Sequence, residues 1–349
     1  MSFTTVLTTC VASLAAAAPR QQAEPPSVEL ESYLAHLGAA DSALRLHDLA
    51  SFRKWIERAP LQPRGFEWRF LDTLRDQSLA LRPQACGTVA ALAVSPDGSR
   101  IALSGGDGTV LVRERESGRE LWRAKLHGDG VSDVKFDASG ERLVSSSRDR
   151  SVKVWSATDG ELLVDFKQHN FPVWAADFSP DGEYVASCSY ERPPGQTVVG
   201  SVRVWRALDG EPVETFEGGV KPLSAIEFSP DGKTLACASW DFCLFLWDFA
   251  AGGEPRRFPV PDEGIYNATD AVDFSRDGFL VAGAAKDDTA RIWRVSDGAL
   301  LATLRGHGNH VSDVRFSPDG KTIATASADE TVRLWDTTSG MELECLRAH

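Results

Sequence analysis

His307 to Asp336 reads HGNHVSDVRFSPDGKTIATASADETVRLWD. Val314 and Phe316, Ile323 and Thr325, and Val332 and Leu334 recur at every second position, the period of a strand with one buried face. Between these runs stand Ser317-Pro318-Asp319-Gly320 and Ala328-Asp329-Glu330-Thr331, residue types that close tight turns. The stretch therefore reads as three antiparallel strands, with a fourth over Met341 to Leu346. One such sheet cannot bury both of its faces alone.

The remedy is repetition. Aligned on the residue before each turn, Val94, Phe136, Phe178, Phe228, Phe274 and Phe316 follow one another at steps of 42, 42, 50, 46 and 42. A period near 42 with four strands per unit predicts a radial array of small sheets. A period near 34 with helical spacing would have meant a helical solenoid. Trp155, Trp205, Trp247, Trp293 and Trp335 hold one third-strand position, and Arg113 replaces tryptophan in the first repeat.

Composition supports a large core: 349 residues, 42% hydrophobic, with ten tryptophans. The net charge of −13 argues against a broad nucleic-acid or anionic-membrane surface. Cys10, Cys86, Cys188, Cys237, Cys243 and Cys345 include no C-x-x-C pair, so they read as buried thiols, not as disulfides or a metal site.

Residues 1–26 read as a signal-like or disordered start. Val6 to Ala18 is mildly apolar, with Ala15 and Ala17 placed as before a cleavage point, yet no Lys or Arg precedes Arg20. The run is too short to span a bilayer, and export through a weak signal or a cytoplasmic location both stay open. Pro19 to Pro26 reads as a linker. Residues 27–76 read as a helical module: Leu30, Tyr33, Leu34, Leu37 and Leu44 form one stripe, and Leu49, Phe52 and Ile56 a second, capped by Asp48. Pro60 and Pro63 end the second helix, and Phe66, Phe70, Leu71 and Leu74 mark a third. Residues 77–349 carry the repeats.

Gly306-His307, Ser317-Pro318-Asp319-Gly320 and Val332-Arg333-Leu334-Trp335-Asp336 resemble the WD-repeat β-propeller family. The resemblance implies an all-β propeller of six recognisable four-stranded blades behind a small α-helical module. Seven blades being the family's usual number, and the chain stopping at Ala348-His349, it also implies a missing or truncated seventh blade. Repeats of this family often join a His, a Ser or Thr, a turn Asp and the Trp by hydrogen bonds. Carried onto this sequence, the sets are His127, Ser147, Asp149 and Trp155, and His307, Ser327, Asp329 and Trp335. A buried imidazole and indole need such partners. A hydrolase reading of Ser, His and Asp fails because the set recurs per repeat without an oxyanion donor motif.

Departures from the pattern are informative. Repeat three keeps His169, Ser189 and Trp205 but carries about eight extra residues around Glu191 to Gln196, which displace the turn Asp. Repeats four and five keep Asp241 with Trp247 and Asp287 with Trp293, but lose the His to Gly219 and Ile265. Apolar packing is expected to hold these units.

Antiparallel connectivity puts the second-to-third-strand turns and the blade-to-blade links at one end, where propellers of this family usually bind partners. The matching positions hold Phe171, Pro172, Trp174 and Tyr190 in repeat three and Lys221, Pro222 and Trp240 in repeat four. Arg148, Tyr266, Lys286 and His310 fill them in repeats two, five and six. Trp174, Tyr190 and Trp240 should gather on one face with a cationic rim, as a protein-recognition hot spot requires; a packing plug between blades is the competing reading. The expected function is a non-enzymatic protein-interaction scaffold with a protein or peptide partner, no cofactor and no metal. The alternative is an enzyme or small-ligand binder using the central pocket, for which no convergent set of catalytic or metal-binding residues is evident. Arg64 to Leu71, RGFEWRFL, is similar to the region downstream of the kinase domain in bacterial serine/threonine kinases fused to WD repeats; no Gly-rich phosphate loop, H-R-D or D-F-G accompanies it. That similarity implies bacterial signalling.

Overall fold

The computed structural model describes residues 88–192, 198–218, 221–240, 243–249, 251–259 and 268–347. The helical module, the N-terminal start, the kinase-like stretch, Asp241, Gly219, Ile265 and Tyr266 lie outside the described residues.

Strand alternation and turn chemistry produce six four-stranded antiparallel sheets. Blade one comprises β1 (Val89–Val94), β2 (Arg100–Gly105), β3 (Val110–Glu114) and β4 (Glu120–Ala124). Blade two comprises β5 (Val131–Phe136), β6 (Arg142–Ser147), β7 (Val152–Ser156) and β8 (Leu162–Phe166). Blade three comprises β9 (Ala175–Phe178), β10 (Tyr184–Glu191), β11 (Val199–Arg206) and β12 (Pro212–Gly218). Blade four comprises β13 (Leu223–Phe228), β14 (Thr234–Ser239), β15 (Cys243–Asp248) and β16 (Arg256–Pro259). Blade five comprises β17 (Thr269–Phe274), β18 (Leu280–Ala285), β19 (Thr289–Arg294) and β20 (Leu300–Arg305). Blade six comprises β21 (Val311–Phe316), β22 (Thr322–Ser327), β23 (Thr331–Asp336) and β24 (Glu342–Arg347). The first strand of each blade lies innermost, and successive innermost strands pack side by side from β1 to β21.

Each third-strand tryptophan is buried against the preceding blade. Trp155 packs with Val110, Val112 and Trp122 of blade one, and Trp205 with Val144, Val152 and Phe166 of blade two. Trp247, Trp293 and Trp335 repeat the arrangement against blades three, four and five. The indole thus supplies most of the apolar seam that a lone sheet lacks. Blade one has Arg113 in this place, beside Glu120 at 3.9 Å, and its inner strand leaves Leu92 58% and Val94 47% exposed.

The turn between first and second strands is built alike in five blades, and in blade two Asp137 and Ser139 exchange the Ser and Asp places. In Ser317 to Gly320 the Gly320 N–H donates to the Ser317 carbonyl at 2.8 Å and the Ser317 hydroxyl donates to Asp319 at 2.7 Å. Gly320 has φ +69°, which explains the glycine. The extra residues of repeat three lengthen a hairpin: β10 and β11 run on to pair Tyr190 with Gly200 and Glu191 with Val199. Glu191 is tied there by Asn170 at 2.9 Å and Arg203 at 3.2 Å.

Candidate functional site

The first strand of a blade opens with a defect that matters for the site. In five blades the pairing with the second strand shifts by one residue, at Ala90, Ser132, Ser224, Asp270 and Ser312. A bulged residue leaves the ladder and its side chain is re-aimed. Trp174 holds the equivalent place in blade three, just ahead of β9, its N–H donating to the Cys188 carbonyl at 3.0 Å. All of these except Ser312 line a funnel of about 630 Å³ at one end of the central channel. The second-to-third-strand turns add Gly106, Arg148, Trp240 and Lys286 to the same lining.

Four of the residues expected to contact a partner therefore converge: Arg148, Trp174, Trp240 and Lys286. Trp174 and Trp240 lie with ring centroids 5.9 Å apart at 48°. The Arg148 guanidinium lies 6.0 Å from the Trp174 ring, and the Lys286 ammonium 4.8 Å from the Trp240 ring, both within cation–π range. Lys286 also pairs with Asp270 at 3.6 Å. Burial pushes the Asp270 carboxyl above its usual range, against the pull of Lys286 and His310. The expected grouping of Tyr190 with the two tryptophans is not what the structure shows: Tyr190 pairs with Phe171, centroids 4.7 Å apart, and neither lines the funnel. Lys221 is exposed, and His310 contacts Asn309 at 3.2 Å. Neither lines the funnel. Asp270, Ser132 and Ser224 were not singled out from sequence, although each stands four residues before an aligned residue, as Trp174 does.

Below the funnel the channel narrows to about 310 Å³ and is crossed by charged side chains. Lys135 of blade two pairs with Asp177 of blade three at 3.3 Å and reaches Glu227 of blade four at 3.7 Å. Arg315 of blade six reaches Glu227 at 3.2 Å and Asp273 of blade five at 3.6 Å. Asp177 accepts the Phe228 N–H at 2.8 Å and Asp273 the Phe316 N–H at 2.5 Å, so each carboxylate clamps the next blade's inner strand. Burial would lower the Lys135 pKa, but Asp177, Glu227 and Asp133 together raise it. Burial and the Asp273 charge raise that of Glu227.

The histidine relays are built with a different hydroxyl from the one read off the sequence. Ser145, not Ser147, receives the Trp155 indole N–H at 2.8 Å and lies 2.8 Å from His127 Nε2. His127 Nδ1 meets Asp149 at 3.1 Å. Thr325, not Ser327, does the same between Trp335 and His307, and Ser187, not Ser189, meets His169 Nε2. Leu143 is the cross-strand partner of Trp155, so Ser145, two residues on, lies within the indole's reach. Ser147, four residues on, is roughly 13 Å along the strand and out of reach. Ser147 instead donates to the Gly130 carbonyl at 3.0 Å, Ser189 to that of Pro172 at 2.8 Å and Ser327 to that of Asn309 at 2.9 Å, tying the turn to the inner strand. An indole can only donate, so the hydroxyl proton points to His127 Nε2 and the Nδ1 proton to Asp149. Against the effect of burial, hydrogen bonds from His127, Ser151 and Gly128 hold the Asp149 carboxyl below the usual range. Ser145 is 0% exposed, so this Ser–His–Asp set presents no nucleophile to a substrate.

Blade three lacks the carboxylate. His169 Nδ1 and Trp205 Nε1 are buried without partners among the described residues, and burial, with Arg203 nearby, takes the His169 pKa down to about 3. In blade five, beside the expected apolar packing of Trp293, Asp287 is bound by the buried Arg291 in place of an imidazole. Among the described residues no group of three or more His, Cys, Asp or Glu could hold a metal ion, and no helix is long and apolar enough to cross a membrane.

Sequence comparisons agree with this architecture. The family model described as WD domain, G-beta repeat matches residues 79–113, 118–156, 160–192, 210–248 and 298–336, more than half of the chain. A 92-residue stretch is 35% identical to an uncharacterized WD repeat-containing protein of Synechocystis sp., covering 26% of each chain. Another of 96 residues is 32% identical to the transcriptional corepressor LEUNIG_HOMOLOG of Arabidopsis thaliana, covering 27% of this chain and 12% of that one. One of 71 residues is 38% identical to the human nucleoporin SEH1, covering 19% and 20%. The chain spans between 12% and 26% of the length of these curated relatives. With the third-strand tryptophans of blades two to six each buried against the preceding blade, the sequence pattern and the fold coincide, and the chain belongs to the WD-repeat family.

Proposed function

We propose that this chain is a protein-interaction scaffold whose partner seats in the funnel formed by the bulged first-strand residues and the second-to-third-strand turns. The observation that carries the reading is the tilted Trp174–Trp240 pair, flanked by Arg148 and Lys286 at the channel mouth. Aromatic anchors beside cations are the composition of binding hot spots. Kinship with proteins named as a transcriptional corepressor and a nucleoporin supports a role in assemblies. The same kinship, and the burial of the one Ser–His–Asp constellation, support a non-enzymatic role. A photo-crosslinking residue placed at Arg148 tests the face against one placed at Asp319, in the turns of the opposite end. Partner adducts should form from position 148 and not from 319; the reverse would refute the assignment.

A further inference from the structure

We infer that the funnel takes an acidic side chain, presented by an extended peptide segment of the partner. This rests on the scaffold reading and specifies its chemistry. The unsatisfied polar groups at the mouth can all donate. The Trp174 indole N–H and the Ser132 hydroxyl have no hydrogen-bond partner among the described residues. The Trp240 N–H is directed at the Asp270 carboxyl. Arg148 is exposed and contacts the Trp174 ring, with no carboxylate beside it among the described residues. Indole and guanidinium can only donate, so a ligand that satisfies them must accept, and a carboxylate is the peptide group that does so at several oxygens at once.

The charges agree. Lys286 is balanced by Asp270, which leaves Arg148 as the uncompensated charge among the described residues of the funnel. Deeper in the channel Asp133, Asp177, Glu227, Asp273 and Asp313 share Lys135 and Arg315, so the cation an acidic side chain can use is Arg148 at the mouth. A lysine or arginine from the partner would set donors against donors. The overall charge of −13 is spread over the whole chain and screened beyond about 8 Å at physiological ionic strength, so it does not decide contact at the mouth. The two indoles supply apolar walls for the methylenes of Glu or Asp, which explains why the site pairs aromatics with a cation.

The test selects a phage-displayed random peptide library on the intact chain, keeping peptides whose binding is lost on the Trp174→Ala/Trp240→Ala variant. Selected peptides are synthesised and their affinities measured by fluorescence polarisation. The retained peptides should be rich in Asp or Glu. Replacing the acidic residue by its amide, or making Arg148→Glu in the protein, should weaken binding roughly ten- to hundredfold, the worth of one charge-assisted hydrogen bond. Arg148 is exposed, so its replacement spares the fold. Tryptophan-dependent peptides carrying Lys or Arg, or peptides indifferent to both replacements, would overturn the acidic preference and leave the scaffold reading standing. Absence of any tryptophan-dependent peptide would overturn both.

Discussion

At the scale of single residues, the relay of blade two shows what a hydroxyl is worth. Ser145→Ala strips partners from a buried indole and a buried imidazole, which should cost about 2–3 kcal/mol in urea denaturation. Ser147→Ala removes a hydrogen bond to backbone carbonyls and should cost about 1 kcal/mol. Equal losses would argue against the hydrogen-bond assignment. His, Asp and Trp were legible in the sequence because each has a distinctive neighbour. The hydroxyl was not, because Ser145, Ser146 and Ser147 follow one another and only strand register decides among them. His169 supplies a pH signature. Its pKa falls from 6.5 to about 3 in the fold, so the unfolded chain binds its proton first on acidification. The stability it contributes is present above pH 6.5 and is lost as pH falls towards 3, with a limiting slope of about 1.4 kcal/mol per pH unit. His169→Gln should flatten that part of the stability profile; an unchanged slope would mean His169 titrates normally.

At the scale of elements, turns and bulges carry the specificity. The second-to-third-strand turn needs a left-handed residue, supplied by Gly108 in blade one but by Arg150, Asp288 and Glu330 in blades two, five and six. Glu330, at φ +68°, is strained for a residue with a Cβ, so Glu330→Gly should stabilise the chain by about 0.5–1 kcal/mol in a thermal melt. A loss would show that the turn does not hold this conformation. Trp335, 2% exposed and packed on blade five, is the opposite case: Trp335→Ala should cost roughly 3–5 kcal/mol. Strands, turns and the tryptophan seam were legible because their chemistry repeats with the period of the fold. The bulge position was hidden because its occupants differ in every blade: Ala90, Ser132, Trp174, Ser224, Asp270 and Ser312 share only a place in the ladder. Tyr190 was placed with the tryptophans from its loop position beside the lengthened hairpin. The extended β10–β11 pair carries it instead to Phe171.

At the scale of the whole molecule, the channel charges join blades distant in sequence, which no local pattern reveals. Lys135→Met would leave Asp177 beside a like charge without its cation and should cost about 3 kcal/mol, the low end for breaking a buried pair. Glu227 behaves oppositely. Its pKa is raised in the fold by burial and by Asp273, so the stability it contributes is complete below its unfolded pKa of 4.5 and is lost as pH rises through the folded value. Glu227→Gln should therefore make the chain more resistant to urea at alkaline pH than the parent, and no gain would mean the carboxyl is ionised throughout. The six four-stranded sheets were legible from the repeat alone, whereas the convergence of Arg148, Trp174, Trp240 and Lys286 around a funnel needed the three-dimensional path. The most direct measurement is partner capture by the Trp174→Ala/Trp240→Ala variant, with its cooperative melt recorded alongside. A chain that still melts cooperatively but no longer captures the partner is the predicted result; a folded variant that captures it as well as the parent would contradict the assignment of the funnel as the binding face.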